Sequence, residues 1–203
     1  MADQPSFLGE PPVTDEAAAL FDAERDEDGY VWNVTRLWCW RPDLYAAFAA
    51  LRRDLMSSPR LTDREWALLV TATASEITDS YCSFAWGARL AKLSGDETAA
   101  QVIAGTAPPA LTEREAALVE WARRIVRDPN GTTQDDVARL RDVGLDDQAI
   151  FEATAFVAFR LAFSTVNDAL GAAPDKQLAD DVPEAVRAAV TYGRPPSPVL
   201  SRA

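Results

Sequence analysis

The 203-residue sequence predicts an all-α protein. Three observations predict it. Apolar residues recur at helical spacing through long stretches. Those stretches open on Thr or Asp, twice with Glu three residues further on. They close on Gly or Pro. No convincing strand alternation is present, and 48% apolar residues are enough to bury a core.

In chain order, Asp15 to Arg25 is an amphipathic helix with Thr14 as its N-cap. "NVTRLWCW" is a short aromatic segment stopped by Pro42. Pro42 suits the first turn of the next helix, "PDLYAAFAALRRDLM", where Leu44, Phe48 and Leu51 share a face. "LTDREWALLVTATASEI" opens with Thr62 and Glu65 in capping-box spacing, and "LTEREAALVEWARRIV" repeats the device with Thr112 and Glu115. The match LTDREWALL to LTEREAALV reads either as a duplicated helix pair or as two helices that chose the same cap. "TTQDDVARLRDVG" is a short helix ended by Gly144. "DDQAIFEATAFVAFRLAFSTVNDALG", capped by Asp146 and stopped by Gly171, is apolar on nearly all sides and reads as a central, fully buried helix. One more short helix follows Pro183. The expected organisation is an N-terminal extension with one helix (1–30), a helical domain (31–175), and a C-terminal helix with a Pro-rich tail (176–203). The tail either hangs free or packs on a neighbouring subunit.

Composition excludes several function classes. The net charge of −12 repels phosphate backbones, so neither nucleic acid nor an anionic membrane is an expected partner. No apolar run approaches the ~18 residues that span a bilayer. The N-terminus lacks a basic stretch followed by an apolar one, so no secretory signal is expected. Two cysteines make no disulfide framework, which points to a reducing, cytoplasmic setting. The chain has no histidine, which removes every Ser-His or Cys-His pair and every imidazole base or ligand. A thiolate zinc site needs about four cysteines, so no metal is expected. No glycine-rich phosphate loop is present, and no cofactor is expected.

What remains for chemistry is a thiol, carboxylates, Tyr, Lys or Arg. Thr78, Asp79 and Ser80 interrupt helical preference just before the run Tyr81 to Leu93. If Asp79 or Ser80 caps that run, Cys82 falls in its first turn, where backbone N–H groups favour a thiolate. Asp79 and the apolar neighbours Phe84 and Trp86 work against ionisation. By residue type alone, a lone Cys in an apolar helix is more often inert filler. Glu76 and Asp79 are candidate proton acceptors, or else a solvated side chain and a cap. Arg160 interrupts "FVAFRLAF", the most apolar helix, with Ser164, Asn167 and Asp168 on its face. It is either the polar wall of a pocket opposite Cys82 or one half of an ion pair with Glu76, Asp79 or another acid.

The stretches "LWCWRPDLYAAFAAL", "LTDREWALLVTATASEITDSYCSFAWGARLAKLSG" and "IFEATAFVAFRLAFSTVNDALG", spanning roughly residues 35–172, resemble the carboxymuconolactone decarboxylase-like family, which includes the alkylhydroperoxidase-D-like proteins. That resemblance implies a helical bundle of about seven to nine helices and a homo-oligomer, a trimer or a multiple of one. The family signature is a glutamate, a Cys-x-x-Cys pair and a histidine four residues beyond it, working as a thiol redox centre against peroxides. Laid on without gaps, Cys82 meets the second cysteine, Asp79 the first, Trp86 the histidine and Ala67 the glutamate. In the alternative register Cys82 meets the first cysteine, Ala85 the second and Arg89 the histidine. One cysteine survives in either register. Trp40 stands where similar members often carry a histidine. The family's proton relay is gone in either register, and the residues and the resemblance together give a candidate site of catalytic Cys82, Asp79 and Glu76, with Tyr81, Trp86, Arg160, Trp40, Cys39 and Asn167 lining the substrate pocket. Cys39 is a candidate resolving thiol. Two classes of function follow. One is a one-cysteine peroxidase that takes a peroxide. The other is a non-redox member, either a binding protein for an organic ligand or a lactone decarboxylase/isomerase-like enzyme using Arg160 and carboxylates.

Overall fold

The computed structural model describes residues 6–201. Residues 1–5 and 202–203, the outer ends of the predicted extension and tail, lie outside the described residues. Among the described residues there is no strand, and there are eleven α-helices, eight of them of seven residues or more. They are α1 (Asp15–Asp28), α2 (Asn33–Trp38), α3 (Pro42–Met56), α4 (Asp63–Glu76), α5 (Ser80–Ser94), α6 (Asp96–Ile103), α7 (Glu113–Arg127), α8 (Gln134–Asp142), α9 (Asp147–Ala169), α10 (Lys176–Asp181) and α11 (Glu184–Ala189).

The caps sit where the side-chain chemistry placed them. Thr14 accepts from the Ala17 N–H, Asp146 from Ala149, and Thr62 and Thr112 each complete a capping box with Glu65 and Glu115. The two box helices, α4 and α7, also clasp each other reciprocally. Arg64 pairs with Glu115 at 2.8 Å and Arg114 with Glu65 at 2.6 Å. Arg64 also donates to the Ala110 carbonyl at 3.2 Å, while Arg114 donates to the Arg60 carbonyl at 2.8 Å. Each contact is its counterpart shifted by the same register, which is the signature of a local two-fold. The repeated LTxRE motif is therefore an interface as well as a cap.

Helix α4 is the centre of the core. Ten of its residues are buried, and Trp66 meets Phe156 of α9 edge-on at 4.6 Å. Helix α5 lies antiparallel beside it and approaches α6 and α11 at Gly87, where a Cβ would stand 2.8 Å from Ile103 and 2.9 Å from Val186. That close approach is why a glycine interrupts an otherwise apolar helix.

Four expectations are corrected. Helix α9 is not buried all round: Phe151, Phe159 and Val166 are exposed along one side. By length and composition alone it could cross a membrane, although no unbroken apolar run suggested so, and it packs on α3, α4, α7 and α8. Helix α3 buries none of its residues fully despite its apolar face. Helix α6 was hidden because Gly95, at φ 88°, ends α5 and also stands as N-cap of α6. The tail does not hang free but is tied back onto its own chain. Ser197 donates to the Pro174 carbonyl at 2.8 Å, Ser201 donates to Asp175, and Ser80 donates to the Arg194 carbonyl at 2.8 Å. Gly193 is required there, since a Cβ would lie 2.6 Å from the Thr78 carbonyl oxygen.

Candidate active site

The reversal between α4 and α5 builds the site. Thr78 sits at φ 61°, the only positive φ outside glycine among the described residues. A β-branched residue in that region is strained, and the strain is held by Asp79 N–H donating to the Ala74 carbonyl at 2.9 Å. The turn delivers Asp79 to the N-cap of α5, where its Oδ1 accepts from the Cys82 N–H at 2.9 Å. Cys82 thus occupies the first helical turn, 3% exposed, as the polar break in the sequence predicted.

Two donors from α9 converge on the sulfur. Arg160 Nη2 lies 3.1 Å from Cys82 Sγ, and Ser164 Oγ lies 3.6 Å from it. They are one helical turn apart and so share a face. Arg160 is 4% exposed; its guanidinium lies 4.8 Å from the Phe163 ring centre and 5.6 Å from that of Trp86, and its Nε has no hydrogen-bond partner. It forms no ion pair with Glu76 or Asp79. The sulfur, the arginine, Tyr81 and Trp86 face a half-open cavity of about 220 Å³, bounded on its other side by Val34 of α2 and by Phe48 and Arg52 of α3.

The electrostatics oppose each other. Burial and the Asp79 carboxylate push the Cys82 thiol well above the usual thiol range, while Arg160 and Ser164 pull it down. Asp79 is wholly buried and its Oδ2 has no hydrogen-bond partner. Behind it, burial and the Asp79 charge push Asp168 up to about 7, against the pull of Arg194. Among the described residues no three metal-ligating side chains cluster.

Of the predicted site residues, the structure brings Cys82, Asp79, Tyr81, Trp86 and Arg160 together. Four others stand elsewhere. Glu76 is held by Arg127 at 2.5 Å and approached by Arg123 at 4.0 Å, on the far side of the α4–α5 turn. Trp40 is 45% exposed beyond the end of α2, because the following Pro42 starts a new helix direction there. Cys39 packs with Ala17, Phe21 and Val31 in a second, smaller apolar cluster, and burial first, then Glu24, pushes its thiol up to about 11. Asn167 does not line the cavity. Its Oδ1 accepts from Trp38 Nε1 at 2.8 Å, and Trp38 stacks on Phe163 at 5.0 Å, so it supports the ring beneath Arg160 from behind. Both cysteines are free. Sequence reasoning missed Arg52, which looks like an ordinary surface charge in "RRD", and gave no role to Ser164 beyond its place on the face of Arg160.

No family model matches this sequence, and no curated protein does. Solved structures match well. A crystal structure of an alkylhydroperoxidase AhpD core, an uncharacterized peroxidase-related protein from Ralstonia eutropha JMP134, superposes with a TM-score of 0.76 at 25% identity, covering 87% of this chain and 96% of that one. An uncharacterized peroxidase-related protein from Silicibacter sp. TM1040 gives 0.77 at 23% identity over 87% and 95%. The debrominase Bmp8, crystallised as a cysteine-to-alanine variant with 2,3,4-tribromopyrrole, shares the fold with a TM-score of 0.65 at 17% identity, over 90% and 95%. The chain therefore has the all-α fold of the alkylhydroperoxidase AhpD core, with Cys82 as the one cysteine at its candidate site.

Proposed function

We propose that this protein is a one-cysteine thiol oxidoreductase that reduces an organic hydroperoxide at Cys82. The observation that carries the reading is the pair of donors, Arg160 and Ser164, on a sulfur that lines a half-open cavity. Donors aimed at sulfur stabilise a thiolate, and later the oxygen of a sulfenate, more than they stabilise a neutral thiol. Asp79 is the proton acceptor: it is buried, adjacent, and has an oxygen to spare.

In the reaction, the Cys82 thiol passes its proton to Asp79. The thiolate attacks the distal peroxide oxygen, the O–O bond breaks, and the sulfur is oxidised to sulfenic acid. The departing alkoxide takes the proton from Asp79 and leaves as an alcohol. Two equivalents of a small external thiol then return the sulfenic acid to thiol, releasing a disulfide and water. Cys39, set in its own cluster, takes no part. The apolar rings of Phe48, Trp86 and Phe163 suit an organic substrate better than hydrogen peroxide. The debrominase of the same fold is likewise crystallised with an organic ligand, a halogenated pyrrole.

The test is oxidation by cumene hydroperoxide with dimedone present and peptide mass mapping. A dimedone adduct on Cys82, lost in Arg160→Met, supports the reading; an unmodified Cys82 overturns it. The upward push on the Cys82 thiol favours a second reading, a non-redox site in which Arg160 holds a ligand and the sulfur is only a wall. An inert thiol together with saturable ligand binding would select that one.

A further inference from the structure

Two arginines face the same cavity with no acid to answer them. Arg160 rises from α9 and Arg52 from α3, and among the described residues neither forms an ion pair. A buried guanidinium without a carboxylate is costly unless something else supplies the negative charge. Arg52 is an exposed residue that also lines the cavity, so its charge stands between solvent and the interior. The carboxylate that does line this cavity, Glu24, is already engaged by the Thr35 hydroxyl and by the Trp32 N–H, and does not bridge to either arginine.

We propose that the cavity binds an organic carboxylate, with the anionic head held between Arg52 and Arg160 and a compact apolar or aromatic body lying against Phe48, Phe163 and Trp86. This deepens the proposed function by naming the substrate class, and it rests on the cavity being the substrate site. The cavity's volume, about 220 Å³, is the liquid share of roughly seven waters, which suits one small ring with a short substituent rather than a long chain. Planar guanidinium groups match a carboxylate with paired N–H donors. Burial and the neighbouring Arg160 charge both lower the Arg52 affinity for its proton, and an anion placed between the two relieves both effects. The anchored head also sets the distance of the reactive part of the substrate from Cys82.

The experiment is calorimetric titration of the Cys82→Ser protein, which cannot react with peroxide, with benzoate and with benzyl alcohol as a neutral counterpart of similar shape. Benzoate is expected to bind about tenfold or more tightly than benzyl alcohol. Arg52→Gln, at an exposed position where folding is not at stake and a melting curve checks it, is expected to weaken benzoate about tenfold and leave benzyl alcohol unchanged. Equal affinities for the two probes, no saturable benzoate binding, or indifference of benzoate to Arg52→Gln each overturn the proposal. If benzoate binds as expected while wild-type Cys82 stays inert to peroxide, the carboxylate site stands and the peroxidase reading falls.

Discussion

Replacing Arg160 with Met separates function from stability, because the two effects have opposite signs. Met keeps the length and apolar stem that lie over Phe163 and Trp86, and removes the donor 3.1 Å from Cys82 Sγ. A hydrogen bond to a charged group contributes about 1.5–3 kcal/mol net. At 1.36 kcal/mol per pKa unit, its loss raises the thiol by a further ~1–2 units. The thiolate fraction at fixed pH falls with it, so iodoacetamide should modify Cys82 ~10–100-fold more slowly at pH 8. Peptide mapping keeps Cys39 out of the measurement. The same substitution removes a buried cation with no acidic partner, so the melting temperature should stay level or rise, in line with ~1 kcal/mol or more from similar replacements. If Arg160 only packed the core, the variant would melt lower and alkylate at the wild-type rate. That pair of results would refute the reasoning.

Asp79→Asn should keep the cap, since Asn serves that position as well as Asp. It removes a negative charge beside the sulfur, so alkylation at pH 7 should speed up while peroxide turnover falls; a parallel change in both would deny Asp79 a proton-transfer role. Asp168 provides a pH signature. Its folded value, about 7 against 3.8, means the native state holds a proton that the unfolded chain has lost between those limits. Stability from this group is therefore full below about pH 4 and declines as pH rises through about 7. Asp168→Asn should flatten urea-derived stability across that window, a difference of about 1–2 kcal/mol after allowing for its partial exposure; an unchanged slope would contradict the assignment. Cys39→Ala should leave sulfenate formation at Cys82 intact and cost on the order of 1 kcal/mol. A Cys39–Cys82 disulfide in oxidised wild-type protein would show that the two clusters exchange partners.

Most of the helical skeleton was legible because caps, breakers and period are local properties. Thr14, Thr62, Thr112 and Asp146 could be read as starts from their own hydroxyls and carboxylates, and Asp79 as the break that puts Cys82 in a first turn. Where one residue served two elements, as Gly95 does, the local rule misled. Burial was less legible: α9 reads as buried all round, yet composition does not say how many neighbours a helix has, and Phe151 faces outward.

Local chemistry in the chain determined that any reaction here is histidine-free, that Cys82 opens a helix, and that Arg160 needs an unusual partner. Only the packing of α5 and α9 against α4 decided that this partner is the sulfur, across 78 positions of chain, rather than Glu76 or Asp79. The same packing sent Glu76 to Arg127 and Asn167 to Trp38, and brought Arg52 to the cavity wall. The physical reason is that a helix period orders side chains along one element, whereas the distance between charges on different elements follows from how their faces interlock.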